Sequence, residues 1–232
     1  MGSSRLPGKV LRDLCGASML ARGIERLRNA STLAHIVIAT TTRPEDDAIV
    51  EEGRRLGAQV FRGSAEDVLA RYAGAARASS AEVIVRITSD CPLIDPRVVD
   101  QVVGALSTEI DYASNTQVRT FPRGLDCEVF FRDTLERMDR MATSAPAREH
   151  VTAFIREQPP LFRTSQLVAD IDHSDLRWTV DTEEDFALVE TLYDRFHLAR
   201  AAMDYRELAM RVRNDPALLE VNAHIEQKDW RN

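Results

Sequence analysis

Apolar positions along this chain switch repeatedly between a helical and a strand period. Residues 18–29 carry helical spacing and predict an amphipathic helix. The run HIVIATT at 35–41 is β-branched and continuous, the pattern of a buried parallel strand. Residues 44–56 read as the following helix, with Pro44 in its first turn. A short strand at 58–61 and a helix at 66–78 come next, then a second buried strand, EVIVRIT, at 82–88. Asp95-Pro96 opens a helix running to about residue 106, with Asp95 as N-cap and Pro96 at its first position. This β-α-β-α rhythm predicts an α/β fold, a three-layer α/β/α sandwich with a mostly parallel sheet.

Beyond Asp111 the rhythm changes. Residues 112–168 hold short strands, LDCEVFF from Leu125 among them, and two helices at 133–142 and 147–158, the second stopped by Pro159-Pro160. A strand at 176–180, a helix at 183–196 and a helical tail at 204–214 complete the series. The expected organisation is one domain over 1–198, with 112–168 as a flanking subdomain, and a helical tail over 199–232. A doubly wound fold opens with a hydrophobic strand that feeds its first phosphate loop. This sequence opens directly on MGSSRLPGK, which reads as that loop itself, so the first strand is expected to be lacking.

Composition narrows the partners. Net charge is -7, which argues against a general nucleic-acid-binding role, since such binding needs dense positive charge. Of 30 basic residues only Lys9 and Lys228 are lysines. No run approaches the length of a membrane span and no secretory signal is visible, so no membrane partner is expected. Cys15, Cys91 and Cys127 are widely spaced with no CxxC pair, which reads as a reducing, cytoplasmic setting.

Five segments carry candidate chemistry. In Gly2-Ser3-Ser4-Arg5-Leu6-Pro7-Gly8-Lys9, small residues let backbone amides approach phosphate oxygens, and Arg5 and Lys9 add charge. Ser3 and Val10 stand where a Walker loop would need Gly and Ser/Thr, and a flexible basic terminus is the other reading. Asp90 follows a buried strand, where ligands of parallel sheets bind and where a carboxylate suits magnesium; a simple turn cap would also place it there. Asp181 repeats that geometry, although Thr182 as a helix cap with Asp185 three residues on gives it a function-free explanation as a turn residue. Asp126 and Glu128 lie two apart and share a face if extended. They suit sugar hydroxyls, a D-x-E metal site, or a solvated face balanced by Arg119 and Arg123. In Arg148-Glu149-His150 the histidine is ligand-facing or structural.

In order and spacing, GSSRLPGK, TSDCPLID, RTFPRGLDCEVF, REHVT and RWTVDTEEDF resemble the cytidylyltransferase-like proteins of spore-coat polysaccharide biosynthesis, which are similar to the CMP-Kdo and CMP-acylneuraminate synthetases. The resemblance covers residues 1–198. It implies a nucleotide-diphosphosugar transferase fold of GT-A or Rossmann-like type. It implies transfer of CMP from CTP to a sugar or sugar-acid acceptor, with Mg2+ held by Asp90 and Asp181. By the same resemblance Arg5 and Lys9 neutralise phosphates on the Gly2, Ser3, Ser4 and Gly8 loop, Asp67, Arg71 and Arg86 lie near the nucleotide, and Asp126, Glu128, Arg148, Glu149 and His150 face the acceptor. A homodimer is the implied assembly. Family members carry a hydrophobic strand ending in alanine-arginine just before this loop, which this sequence lacks; a start assigned too far downstream is the expectation. The alternatives are a GT-A glycosyltransferase, for which Ser89-Asp90-Cys91 does not supply a D-x-D motif, and a non-catalytic binding subunit.

Overall fold

The computed structural model describes residues 5–201 and 203–227, so Gly2, Ser3 and Ser4 of the basic loop lie outside the described residues. The helix predicted at 18–29 is α1 (Met19–Leu27), where the Ser18 side chain accepts a hydrogen bond from the Ala21 amide. Leu20 and Ile24 seat it against Ile49 of α2 (Asp47–Arg55). Strands β1 (Val37–Thr41) and β2 (Gln59–Gly63) pair in parallel, Val37 opposite Gln59 through Thr41 opposite Gly63. Between them α2 makes the crossover that parallel pairing requires.

A second sheet runs in the order β3-β5-β4-β6. β3 (Val83–Arg86) and β4 (Tyr112–Ser114) both run antiparallel to β5 (Glu128–Phe131), and β4 is parallel to β6 (Thr164–Gln166). The sheets are therefore mixed. The predicted parallel order holds for β1–β2 and β4–β6, whereas β5 enters from a loop and no crossover helix forces it to run with its neighbours.

Alternation along β4 and β5 builds the two outer layers. Ala113 and Val129 face a core formed with α4 (Pro96–Gly104), α8 (Glu183–Arg195) and α9 (Tyr205–Arg213). Tyr112 and Phe130 face the opposite side, against α3 (Val68–Ala78), α5 (Arg132–Met141), α6 (Ala145–His150) and α7 (Ala153–Glu157). A fully buried side chain of the size of Val129 or Phe130 contributes roughly 1.5–3 kcal/mol.

Two predicted elements differ. The helix expected at 147–158 is two helices, α6 and α7, broken at Val151, whose φ of 57° is a costly conformation for a β-branched residue. The strand expected at 176–180 forms no ladder. It makes one parallel bridge, Arg177 with Arg123, and the Val180 amide donates to the Asp90 carbonyl at 2.9 Å. Its neighbours are loops rather than strands. The short α10 (Pro216–Glu220) falls in the tail expected to be helical, beyond the helix placed at 204–214.

β1 and β3 do not pair. A cleft of about 930 Å³ separates them, lined by β1 residues 37–41, by β3 and by residues 87–89 after it, and flanked by Leu20 and Ile24 of α1 and Tyr72 and Ala75 of α3. The direction of their hydrogen bonds follows from parity. The Ile36 carbonyl accepts from Gln59 and the Thr42 amide donates to Gly63, so Val37 and Ala39 turn their backbone groups away from β2 and into the cleft. Likewise the Glu82 carbonyl accepts from Arg132, so Val83 and Val85 point away from β5. Native-state hydrogen exchange by NMR should find the amides of Val37, Ala39, Val83 and Val85 exchanging on the order of 100-fold faster than those of Ile38, Thr40, Ile84 and Arg86. Equal protection of the two sets would show that the cleft edges are covered.

Candidate active site

Three chain segments that are remote in sequence meet beyond the end of β3. The first is the basic loop. Gly8 has φ 71°, a left-handed conformation that glycine adopts without penalty, and it turns the chain into the single 3-10 turn Lys9–Leu11. The second is the loop after β3, where the Thr88 hydroxyl donates to Asp90 Oδ1 at 2.6 Å and fixes that carboxylate. The third is the extended segment that leads into α8. Gly124 holds it close: its φ is 104°, and a Cβ there would lie 2.6 Å from the Trp178 carbonyl carbon and the Thr179 nitrogen.

Lys9 joins the three. Its ammonium lies 3.2 Å from Asp90 Oδ2, 2.9 Å from Asp181 Oδ1 and 2.5 Å from the Val180 carbonyl oxygen. Only 8% of Lys9 is exposed, so these oxygens largely replace its water. On the other side of Asp181, Oδ2 meets the Arg5 guanidinium at 2.9 Å and that of Arg177 at 3.0 Å. Burial pushes the Asp181 carboxyl up; the charge and hydrogen bond of Lys9, with Arg5 and Arg177 behind them, outweigh burial and hold it below the ordinary carboxylate range.

Arg177 is itself held. It bonds the fully buried Asp185 through Nε at 2.8 Å and Nη2 at 2.9 Å. Asp185 accepts from the amides of Asp181 and Thr182 and completes the predicted capping box at the start of α8. Asn222 donates to the Arg177 carbonyl and to Asp185, which fastens the chain after α10 to the same network. Arg177 is the residue the sequence reading left without a role. Its signal was its spacing, four residues before Asp181 and eight before Asp185.

The carboxylates of Asp90 and Asp181 with the Val180 carbonyl make an all-oxygen donor set. Among the described residues no group of three or more His, Cys, Asp or Glu side chains is placed to hold a metal. Two carboxylates suit magnesium, which is commonly held by one or two carboxylates together with substrate phosphates.

Other expected site residues are engaged elsewhere. Glu128 is buried and accepts hydrogen bonds from Tyr112 and Thr152, each at 2.6 Å, and from Arg86. Its oxygens are occupied by these three donors, and Arg86, which also lines the cleft, is paired with it. The strained turn at Val151 is what delivers Thr152 to this carboxylate. Asp126 does not share an open face with Glu128: it precedes β5 and forms a two-pronged pair with Arg119 at 2.7 and 2.9 Å. Asp67 caps α3 and pairs with Arg148, which also holds Asp139. These two expected ligand contacts are thus partners of each other, tying α6 to α3. Arg71, half-buried, bonds the Ser64 carbonyl and lines the cleft. Glu149 is exposed and His150 half-buried at the end of α6, and no contact joins either to the Lys9 cluster. Among the described residues the structure thus brings together Arg5, Lys9, Asp90 and Asp181, with Gly8 turning the loop that carries Lys9.

The family model described as Cytidylyltransferase matches residues 1–225. An uncharacterized protein of Methanocaldococcus jannaschii is 38% identical over 233 residues, covering 99% of this chain and 94% of its own. The spore coat polysaccharide biosynthesis protein SpsF of Bacillus subtilis is 35% identical over 203 residues, covering 84% and 83%. A solved cytidylyltransferase from Leptospira borgpetersenii superposes with a TM-score of 0.90 at 33% identity, over 95% of this chain and 93% of that one. No helix among the described residues is long and apolar enough to cross a membrane.

Proposed function

Because the chain belongs to the cytidylyltransferase family, we propose that it couples CTP to an oxygen of a sugar-type acceptor and releases pyrophosphate. The observation that carries this reading is the cluster in which Lys9, Asp90 and Asp181 converge from three segments. An acceptor oxygen attacks the α-phosphorus in line and pyrophosphate leaves, so the protein has to position the reactants and balance charge more than it has to make covalent bonds. Arg5 and Lys9 are placed to neutralise phosphate oxygens as charge builds on them. Asp90 and Asp181 would hold Mg2+, which supplies further neutralisation of the phosphates when bound. The similarity to the spore-coat protein supports an acceptor used in surface polysaccharide synthesis.

Calorimetry tests the reading. CTP with magnesium should bind the wild-type protein, and Asp90→Ala should weaken the magnesium-dependent part of the affinity at least about tenfold, or ~1.4 kcal/mol. Absence of CTP binding by the wild type would remove the assignment. Binding that Asp90→Ala leaves unchanged would remove Asp90 from the site.

A further inference from the structure

The ammonium of Lys9 is surrounded as a cation in a metal site would be. Three oxygens on two segments, Asp90 Oδ2, Asp181 Oδ1 and the Val180 carbonyl, converge on it within 2.5–3.2 Å. These are the same oxygens that form the donor set for a divalent ion. We propose that Lys9 and the divalent ion compete for one position, so that the ion enters only when a nucleotide draws the ammonium away onto its phosphates. This rests on the metal-assisted transfer proposed above.

Charge balance supports the exchange. Asp90 and Asp181 are offset by Lys9 and Arg5, while Arg177 is offset by Asp185, so the cluster is close to neutral without any ion. A divalent ion arriving alone would add two positive charges beside three cationic side chains. It would also have to displace an ammonium that, in a site 8% exposed, has little water to move into. A triphosphate changes both conditions. It brings several negative charges, and it gives Lys9 new oxygen partners while its main chain stays fixed behind Gly8.

The residue type fits the task. Lysine is a compact point charge on a flexible stem, able to move between two sets of oxygens, whereas the planar guanidinium matches fixed, two-pronged partners. Of the 30 basic residues in the chain only two are lysines, and one stands here. Arg5 and Arg177 remain on Asp181 Oδ2 and keep that carboxylate aimed while Oδ1 changes partner.

Manganese serves as the probe, its binding read by electron paramagnetic resonance on the full chain. Without nucleotide the wild type should bind Mn2+ weakly, and CTP should raise the affinity. Lys9→Met and Lys9→Gln, each checked for fold by circular dichroism, should bind Mn2+ without nucleotide at least about tenfold more tightly than the wild type. Wild-type protein that binds Mn2+ alone as tightly as it does with CTP would overturn the exchange, whatever the variants do. So would variants that fold but gain no affinity. If CTP binds but Mn2+ is never retained by any form, the exchange and the metal role fail together and nucleotide binding stands.

Discussion

Truncating Glu128 to alanine should lower the free energy of unfolding by about 3–5 kcal/mol, the largest single effect expected in this chain. Glu128 is 3% exposed, and its removal leaves the half-buried Arg86 without its counter-charge and strips the Tyr112 and Thr152 hydroxyls of an acceptor. Urea unfolding would show the loss as a lower midpoint at unchanged slope. Arg86→Met combined with Glu128→Leu should recover most of it, because an apolar pair of similar volume avoids the desolvation that a lone buried ion suffers. If the double replacement is as unstable as Glu128→Ala, the hydroxyl bonds rather than the ion pair carry the stability. A pH signature accompanies the network. Burial raises the Glu128 carboxyl, while Arg86 and then the two hydroxyls overcome this and hold it below its ordinary 4.5. A depressed carboxyl stabilises the fold above its unfolded value and loses that contribution as pH falls through the folded one. The wild type should therefore lose stability progressively below about pH 4.5, and Glu128→Gln should flatten that acid limb.

Asp181→Asn should leave the fold standing and the chemistry disabled. Arg177 keeps its pair with Asp185, and the capping box of α8 does not use the Asp181 side chain, so melting should shift little. The amide cannot offset Lys9 and Arg5, and it is a poorer ligand for a hard cation. Pyrophosphate release from CTP, assayed with a panel of sugar acids as acceptors, should fall about 10²–10³-fold, the range seen when one charge-stabilising group is removed from a site of this kind. The magnesium-dependent part of CTP affinity should fall with it. Full turnover in the folded variant would show that Asp181 merely anchors the loop.

Much of this was legible because it is local. Helix caps such as Asp95 and Thr182 are written in neighbouring residues, and both perform as the sequence implies. Asp90 and Asp181 were identifiable because each follows a run that leads out of the core; two such carboxylates could converge on one ion, and the resemblance implied that they do. What could not be read is who pairs with whom at long range. Asp126 and Glu128 share a parity in sequence, yet one is taken by Arg119 and the other by Arg86, 42 positions away. The ladder expected at 176–180 failed for the same reason: apolar composition marks a segment as buried and extended, but a strand also needs neighbours, and those are set by the rest of the chain. Strands of three residues, as β4 and β6 are, hold too few positions to show a period.

The cleft between β1 and β3 bears on how this protein keeps to itself. An uncovered strand edge ordinarily serves as a template for another chain, and proteins guard such edges with charges, prolines or bulges. Here the backbone groups of Val37, Ala39, Val83 and Val85, which have no backbone partner among the described residues, look toward one another across an internal gap, with a helix above and a helix below and with Arg71 and Arg86 in its lining. A foreign strand cannot lie down along either edge from outside; it would have to thread in endwise between two sheets. Each edge thereby screens the other from a foreign strand.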